Sequence, residues 1–263
     1  VAFGVIKARL THLDLSYNDL QSRQFKALTS IPETVTHLKL NGNHLHAKNF
    51  LELCRSIPKT VTHLELRSNY LGWLLVENPS YFKEALASLN VTHLDLSSNE
   101  LGNKDQKCLA AVFAQMTSVT HLKVGHNHFS LKSCNSFASL PPSVTHLDLT
   151  GNEFHCISPP GSEPNLEKFI FFLTQTLPST VTTVNLTGCR GIGSAKKVAE
   201  ALLATGKKII IDSEDSFSLE LRSYLDNPPS PQGSPAGSQH RLFSPEQANE
   251  KASEERTAAL PHP

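Results

Sequence analysis

The chain has little that would draw it to a charged polymer or into a bilayer. Its 24 lysines and arginines are matched by 24 aspartates and glutamates, so it carries no formal net charge. The long-range pull that a phosphate backbone or an anionic membrane exerts on a basic surface is therefore missing. No stretch approaches the ~18 consecutive apolar residues of a spanning helix. The longest greasy runs, such as Phe169 to Leu173, suit the inside of a fold. Cysteines number five, an odd and scattered set (Cys54, Cys108, Cys134, Cys156, Cys189). In a chain long enough to bury a core they read as thiols in a reducing compartment rather than staples. No secretory leader is visible, and because the chain opens on Val1 rather than methionine, that carries no weight. The expected partners are proteins or small molecules, with no nucleic acid and no membrane insertion.

What the chain has in abundance is one motif, present seven times. It runs LTHLDLSYN from Leu10, VTHLKLNGN from Val35, VTHLELRSN from Val61, VTHLDLSSN from Val91, VTHLKVGHN from Val119, VTHLDLTGN from Val144 and VTTVNLTGC from Val181. Successive starts fall 25 to 37 residues apart, room for a strand, a turn, a helix and a return loop, so a solenoid is expected. In the unit from Val91 to Leu101, Leu94 and Leu96 alternate with His93 and Asp95. That period of two turns the leucines into the core and the polar pair outward, one strand per repeat. Stacked in parallel at about 4.8 Å, seven strands make a ribbon on the order of 30 Å long, the size of a protein-binding surface. Asn18, Asn43, Asn69, Asn99, Asn127 and Asn152 recur at the bend after each strand, where an amide can satisfy backbone groups of neighbouring turns.

Between strands, Phe50, Leu53, Cys54 and Ile57 keep helical spacing, as do Leu109, Val112, Phe113 and Met116, and Leu166, Phe169, Ile170, Leu173 and Leu177. Pro32, Pro58, Pro141 and Pro178 then stop most of these runs. The pattern L-x-x-L-x-L-x-x-N-x-L resembles the leucine-rich repeat, and the long helical units resemble its ribonuclease-inhibitor-like class, over about Leu10 to Asp212. The resemblance implies an α/β horseshoe with parallel strands on the concave face and helices on the convex one. Lys207 to Asp212 is expected as a final strand and Phe217 to Leu225 as a short capping helix. The domain reading is a solenoid over residues 1–226 and a flexible Pro/Ser/Gly linker over 227–244. A helical tail over 245–263 follows, begun by Ser244 as N-cap and Pro245 at the first helical position.

On the strand face, the third position of each unit carries His12, His37, His63, His93, His121 and His146, with Thr183 closing the row. Two residues on stand Asp14, Lys39, Glu65, Asp95, Lys123, Asp148 and Asn185. Imidazoles beside carboxylates are ordinary zinc ligands, but a flat row does not converge tetrahedrally, so no metal is assigned. The same row is placed to titrate near pH 6. Partner choice should fall to the variable positions, Tyr17, Asn41, His44, Arg67, Tyr70, Glu100, His126, His128 and Glu153, with Arg67 and Tyr70 the first candidates as anchors. The third unit has an insertion, Gly72 to Pro79, with the only tryptophan. Trp73 is an anchor if exposed and filler if it lies inside the extra layer.

Catalytic constellations are weak. His155 and Cys156 are adjacent in sequence, which does not aim a base at a thiol. Gly188, Gly191 and Gly193 lack dinucleotide spacing and read as a tight turn. Two glycosylation sequons, at Asn90 and Asn185, fall at the strands. No enzyme activity and no cofactor are expected.

The repeated VTHLDLSxN with IPxT or LPxS leading into it resembles the leucine-rich-repeat effectors that intracellular bacterial pathogens inject into host cells. The tail is similar to substrates of Dot/Icm-like type IV secretion, which end in clustered glutamates and a hydrophobic residue near the terminus. Here Glu246, Glu250, Glu254 and Glu255 precede Leu260. The resemblance implies a monomeric binding module in the host cytosol that captures, and modulates or inhibits, a host protein or another effector enzyme. The alternative it leaves open is an adaptor recruiting substrates to a ubiquitin ligase.

Overall fold

The computed structural model describes residues 10–20, 31–45, 50–102, 104–154, 164–189, 194–205, 210–211 and 215–228. All belong to the compact unit Val1–Pro228; the unit Pro229–Pro263 lies outside the described residues, as do His155, Cys156, Gly191, Gly193, the linker beyond 228 and the tail glutamates with Leu260.

Each repeat contributes a strand of three residues, and these pair in parallel, in sequence order, into one sheet: β1 (His12–Asp14), β2 (His37–Lys39), β3 (His63–Glu65), β4 (His93–Asp95), β5 (His121–Lys123), β6 (His146–Asp148) and β7 (Thr183–Asn185). An eighth, β8 (Ile210–Ile211), closes the row inside the segment expected to end the sheet. Register is strict, histidine against histidine and leucine against leucine from β1 to β6. A slip by one residue would turn every leucine to solvent, and burial forbids it. Leu38, Leu64, Leu94, Leu122 and Leu147 are buried in the layer behind the sheet.

The return segments carry helices at Phe50–Ser56, Gly72–Glu77, Pro79–Ala87, Gln106–Phe113, Pro164–Phe171 and Ala195–Thr205. The expected helical runs are thus present. Two segments differ from an ordinary α-helix: Cys134–Ser139 winds as a tight 3₁₀ turn, and Phe172–Thr176 widens into a π turn after its helix. The prolines do more than stop helices. In four repeats the carbonyl of Pro32, Pro58, Pro141 or Pro178 accepts the N–H of the valine three residues on, a turn that feeds the chain back into the next strand. The final helix, Ser216–Asp226, matches the expected cap and is fastened at its start by Asp215, whose carboxylate accepts from Ser218 N at 2.8 Å and from Gly188 N at 2.9 Å.

Two internal ladders hold the stack together. In the first, Asn43, Asn69, Asn99, Asn127 and Asn152 are fully buried. The Oδ1 of Asn69, for example, accepts Asn43 N at 2.8 Å, while its Nδ2 donates back to Leu40 O at 2.9 Å. Each amide thereby bonds the preceding repeat, as the sequence led one to expect. In the seventh unit Cys189 takes the asparagine's place and its thiol donates to Leu149 O at 3.1 Å; burial pushes that thiol up to about 12, so it is held protonated and inert. The second ladder is a spine of phenylalanines on the helical side. Phe137 sits 5.1 Å from Phe113, 5.0 Å from Phe129 and 5.7 Å from Phe172, ring centre to ring centre.

Left-handed backbone is concentrated at the turns after the strands. Tyr17, Ser68, Ser98 and His126, one place before each asparagine, have φ between 51° and 58°. Gly42 and Gly151 fill the same place in their units, and a Cβ there would meet the ring of Tyr17 at 2.5 Å or of His126 at 2.3 Å. In these two pairs a glycine follows an aromatic ring because the ring of one repeat lies over the bare backbone of the next.

Candidate functional site: the strand face

Alternation along each strand puts the third and fifth positions on the face opposite the leucines, and register lines them up across the stack. The six histidines become a continuous stack with ring centres 3.9 to 4.1 Å apart and planes within 12° to 17° of parallel. What orients the rings is the threonine before each one. Its Oγ1 lies 2.8 to 3.0 Å from the Nδ1 of the following histidine in all six units. The Thr-His dipeptide therefore carries a function as a pair: one residue fixes the ring, the other displays it. The threonine's part was visible in the sequence as the unvarying TH and was not singled out there.

The stack disfavours charge. Burial and, behind it, the neighbouring imidazoles His63, His121 and His37 push His93 down to about 4. His37, His63 and His121 are lowered for the same reasons, burial first and neighbouring histidines next. Unfolded histidine titrates near ~6.5, so below that pH these four rings bind fewer protons in the folded state than in the unfolded chain, His93 down to about 4. The folded state thus has its full stability above about pH 6.5 and loses it as pH falls toward the folded value. Thermal unfolding should show the melting temperature dropping by several degrees, about 5 to 10 °C, from pH 7 to pH 4.5. The His93→Asn variant should show a shallower drop. A flat profile in the wild type would contradict the neutral stack.

The charged row runs Asp14, Lys39, Glu65, Asp95, Lys123, Asp148. Lys39 and Glu65 form an ion pair at 3.0 Å, and Asn41 Nδ2 donates to the other Glu65 oxygen at 2.8 Å. Burial works to raise the Glu65 carboxyl, but these bonds together with the charges of Lys39 and Lys123 outweigh it and hold it below its usual value. Between the rows lies a trough of about 290 Å³ from His12 to Lys123, followed by a second of about 210 Å³ from His121 to Asn185. Among the described residues no group of three His, Cys, Asp or Glu side chains converges as a metal site would require. A separate groove of about 490 Å³ opens on the helical side beside Lys132, Cys134, Lys168 and Phe171.

The variable positions divide in two. Asn41 and Arg67 continue the strand face one step beyond the charged row. Tyr17, His44, Tyr70, Glu100, His126 and His128 stand on the rim of the turns, all with left-handed backbone, and Glu153 occupies the equivalent place in its unit. Among the described residues Tyr17 is the most exposed large hydrophobic side chain at 79%, and Tyr70, 42% exposed, stacks on His44 with ring centres 5.5 Å apart. Trp73 is not core filler: it is 51% exposed, on the extra helix Gly72–Glu77 and off the strand face. Insertion of that helix is closed at its start by Gly72, where a Cβ would meet Glu100 O at 2.5 Å.

A leucine-rich-repeat family model matches residues 9–23 and 87–110. Among solved structures the chain is similar to LegL7, a leucine-rich repeat-containing protein of Legionella pneumophila, with 24% identity over 86% of this chain and 93% of that one and a TM-score of 0.48. No curated protein matches the chain. Parallel strands in one sheet, helices behind them and the matched repeat make this an α/β leucine-rich-repeat solenoid, the architecture of protein-interaction modules. Among the described residues no helix is long and apolar enough to cross a membrane.

Proposed function

We propose that this leucine-rich-repeat solenoid is a non-catalytic module that seizes another protein on its strand face. The observation that carries the reading is the continuous polar strip itself: stacked imidazoles, a row of charges, a trough between them and exposed Tyr17 and Tyr70 at the rim. Tyrosine and arginine are efficient anchors because they combine large contact area with hydrogen bonding. Residues 1–226 form the binding unit and act as a monomer, and the mechanism is occupancy. Following the sequence resemblance, the chain is assigned to the effectors of intracellular bacteria. In that reading Glu250, Glu254, Glu255 and Leu260 belong to a type IV secretion signal, and the bound host protein or effector enzyme is modulated or inhibited in the host cytosol.

The test is capture. The full chain is used as bait in host and bacterial lysates, with an Arg67→Glu/Tyr70→Ala double variant alongside. Proteins retained by the wild type should fall about tenfold or more in the variant. Equal recovery by both would remove the strand face from the reading and move attention to Trp73 or the helical side.

A further inference from the structure

We propose that the segment received by the strand face is acidic and sets its carboxylates on Arg67 and Lys123 along the imidazole row. This rests on the concave-face reading above and gives it a partner chemistry.

Formal charge suggests the opposite. The face carries Asp14, Glu65, Asp95 and Asp148 against Lys39, Arg67 and Lys123. The bonding shows which of these are already engaged. Asp14, Asp95 and Asp148 each accept the backbone N–H two residues on, from Ser16, Ser97 and Thr150, all at 2.9 Å, and Thr150 Oγ1 adds a second bond to Asp148. Asp95 is only 8% exposed. These aspartates close their own turns, and the uncharged Asn185 does the same for Thr187 N at 2.9 Å. Glu65 is held by Lys39 and Asn41, which engages Lys39 as well.

Two cations are left. Arg67 is exposed, and its only bonds are through the backbone, its N–H to Asn41 Oδ1 at 2.9 Å and its carbonyl to the turn. Lys123 is exposed where the two troughs meet, flanked in register by Asp95 and Asp148. Among the described residues neither head group has an ion pair or a hydrogen bond. Each of these aspartates has one carboxylate oxygen tied into its own turn and Asp95 is nearly covered, whereas every N–H of the Arg67 and Lys123 head groups is open to a partner carboxylate. Glu100 and Glu153 lie beyond the asparagine turns, on the rim rather than on the strand face.

The histidine row lines the same trough as Lys123. Thr11 O already accepts two backbone N–H groups, from Thr36 at 2.8 Å and His37 at 3.0 Å, and the pattern repeats at Thr36, Thr62, Thr92 and Thr120. The next threonine hydroxyl also lies 3.0 to 3.4 Å from that carbonyl, so it stands between the carbonyl of the preceding repeat and the Nδ1 of its own ring. Arg67 and Lys123 stand two strands apart, about 10 Å, and two residues apart along the strand, about 7 Å. Carboxylates four residues apart in an extended segment share one face and span that separation at about 3.3 Å per residue.

A random-peptide display library selected on the immobilised full chain tests this. Enriched peptides should carry paired Asp or Glu four residues apart. Their affinity should fall about tenfold or more in Arg67→Glu and in Lys123→Glu, in part in Lys123→Gln, and not in Lys168→Glu on the helical side. Circular dichroism confirms that each variant is folded. Basic or apolar peptides whose binding is lost in the two strand-face variants would overturn the acidic partner and keep the docking face. Peptides indifferent to both variants would overturn the face itself, and no enrichment at all counts against both.

Discussion

Asn99→Ala should destabilise the solenoid by about 3 kcal/mol or more, a large fraction of the stability of an ordinary domain. The side chain is fully buried and serves five backbone groups: its Oδ1 accepts Asn69 N at 2.9 Å and Leu71 N at 3.2 Å, and its Nδ2 donates to Leu66 O at 2.9 Å, Leu96 O at 3.0 Å and Ser97 O at 3.1 Å. Alanine leaves Asn69 N, Leu71 N and Leu66 O without that partner, while Leu96 O keeps Asn127 Nδ2 at 2.9 Å and Ser97 O keeps Ser68 N at 3.1 Å; each orphaned buried group costs roughly 1 to 3 kcal/mol. The loss is concentrated between the third and fourth repeats, so hydrogen exchange should accelerate there most. Urea unfolding of Asn99→Ala beside Asn18→Ala makes the comparison sharp. Asn18 is exposed and, among the described residues, its side chain donates only to Ser16 O at 3.0 Å, so its loss should cost less than about 1 kcal/mol. Equal costs at the two positions would mean that the ladder contributes no more inside the stack than at its edge.

Phe137→Ala should be of similar or greater size, about 3 to 5 kcal/mol. The ring has no exposed surface and bridges three others, Phe113 and Phe129 on one side and Phe172 on the other. Its own support is thin, since Cys134–Ser139 is a single 3₁₀ stretch rather than a full helix, and deleting the ring removes what ties that stretch to the repeats beside it. Phe137→Leu, which refills part of the volume, should recover about half of the loss. Chemical denaturation of both variants measures this; Phe137→Ala within about 1 kcal/mol of wild type would show that the turn collapses into the void without cost.

Much of this architecture is legible in the residues because the repeat applies one rule many times. Period-two alternation places Leu94 and Leu96 inside and His93 and Asp95 outside, and register then follows from burial. The asparagines could be read as internal partners because a buried amide at a bend has few other uses. The spine of rings was not legible: Phe129 and Phe154 stand where other units have leucine, and Phe137 falls in a segment with no helical period. Which rings meet depends on how far one repeat rotates against the next, and that is a property of the stack. The histidine row was visible as a row, but its face-to-face stacking depends on the hydroxyl beside each ring. Arg67 stood out as a variable residue. That it and Lys123 are the unengaged charges became apparent only once the aspartates were seen closing their own turns.

The strand face, and not the helical side, is the surface proposed to dock the partner. A photoreactive benzoylphenylalanine placed at Tyr70, on the rim, and separately at Phe171, which is 58% exposed on the opposite side, tests it directly when the full chain is irradiated in host lysate. The expected result is a discrete covalent adduct from position 70 and none from position 171. The same adduct from position 171, with nothing from position 70, would place the partner on the helices and contradict the claim.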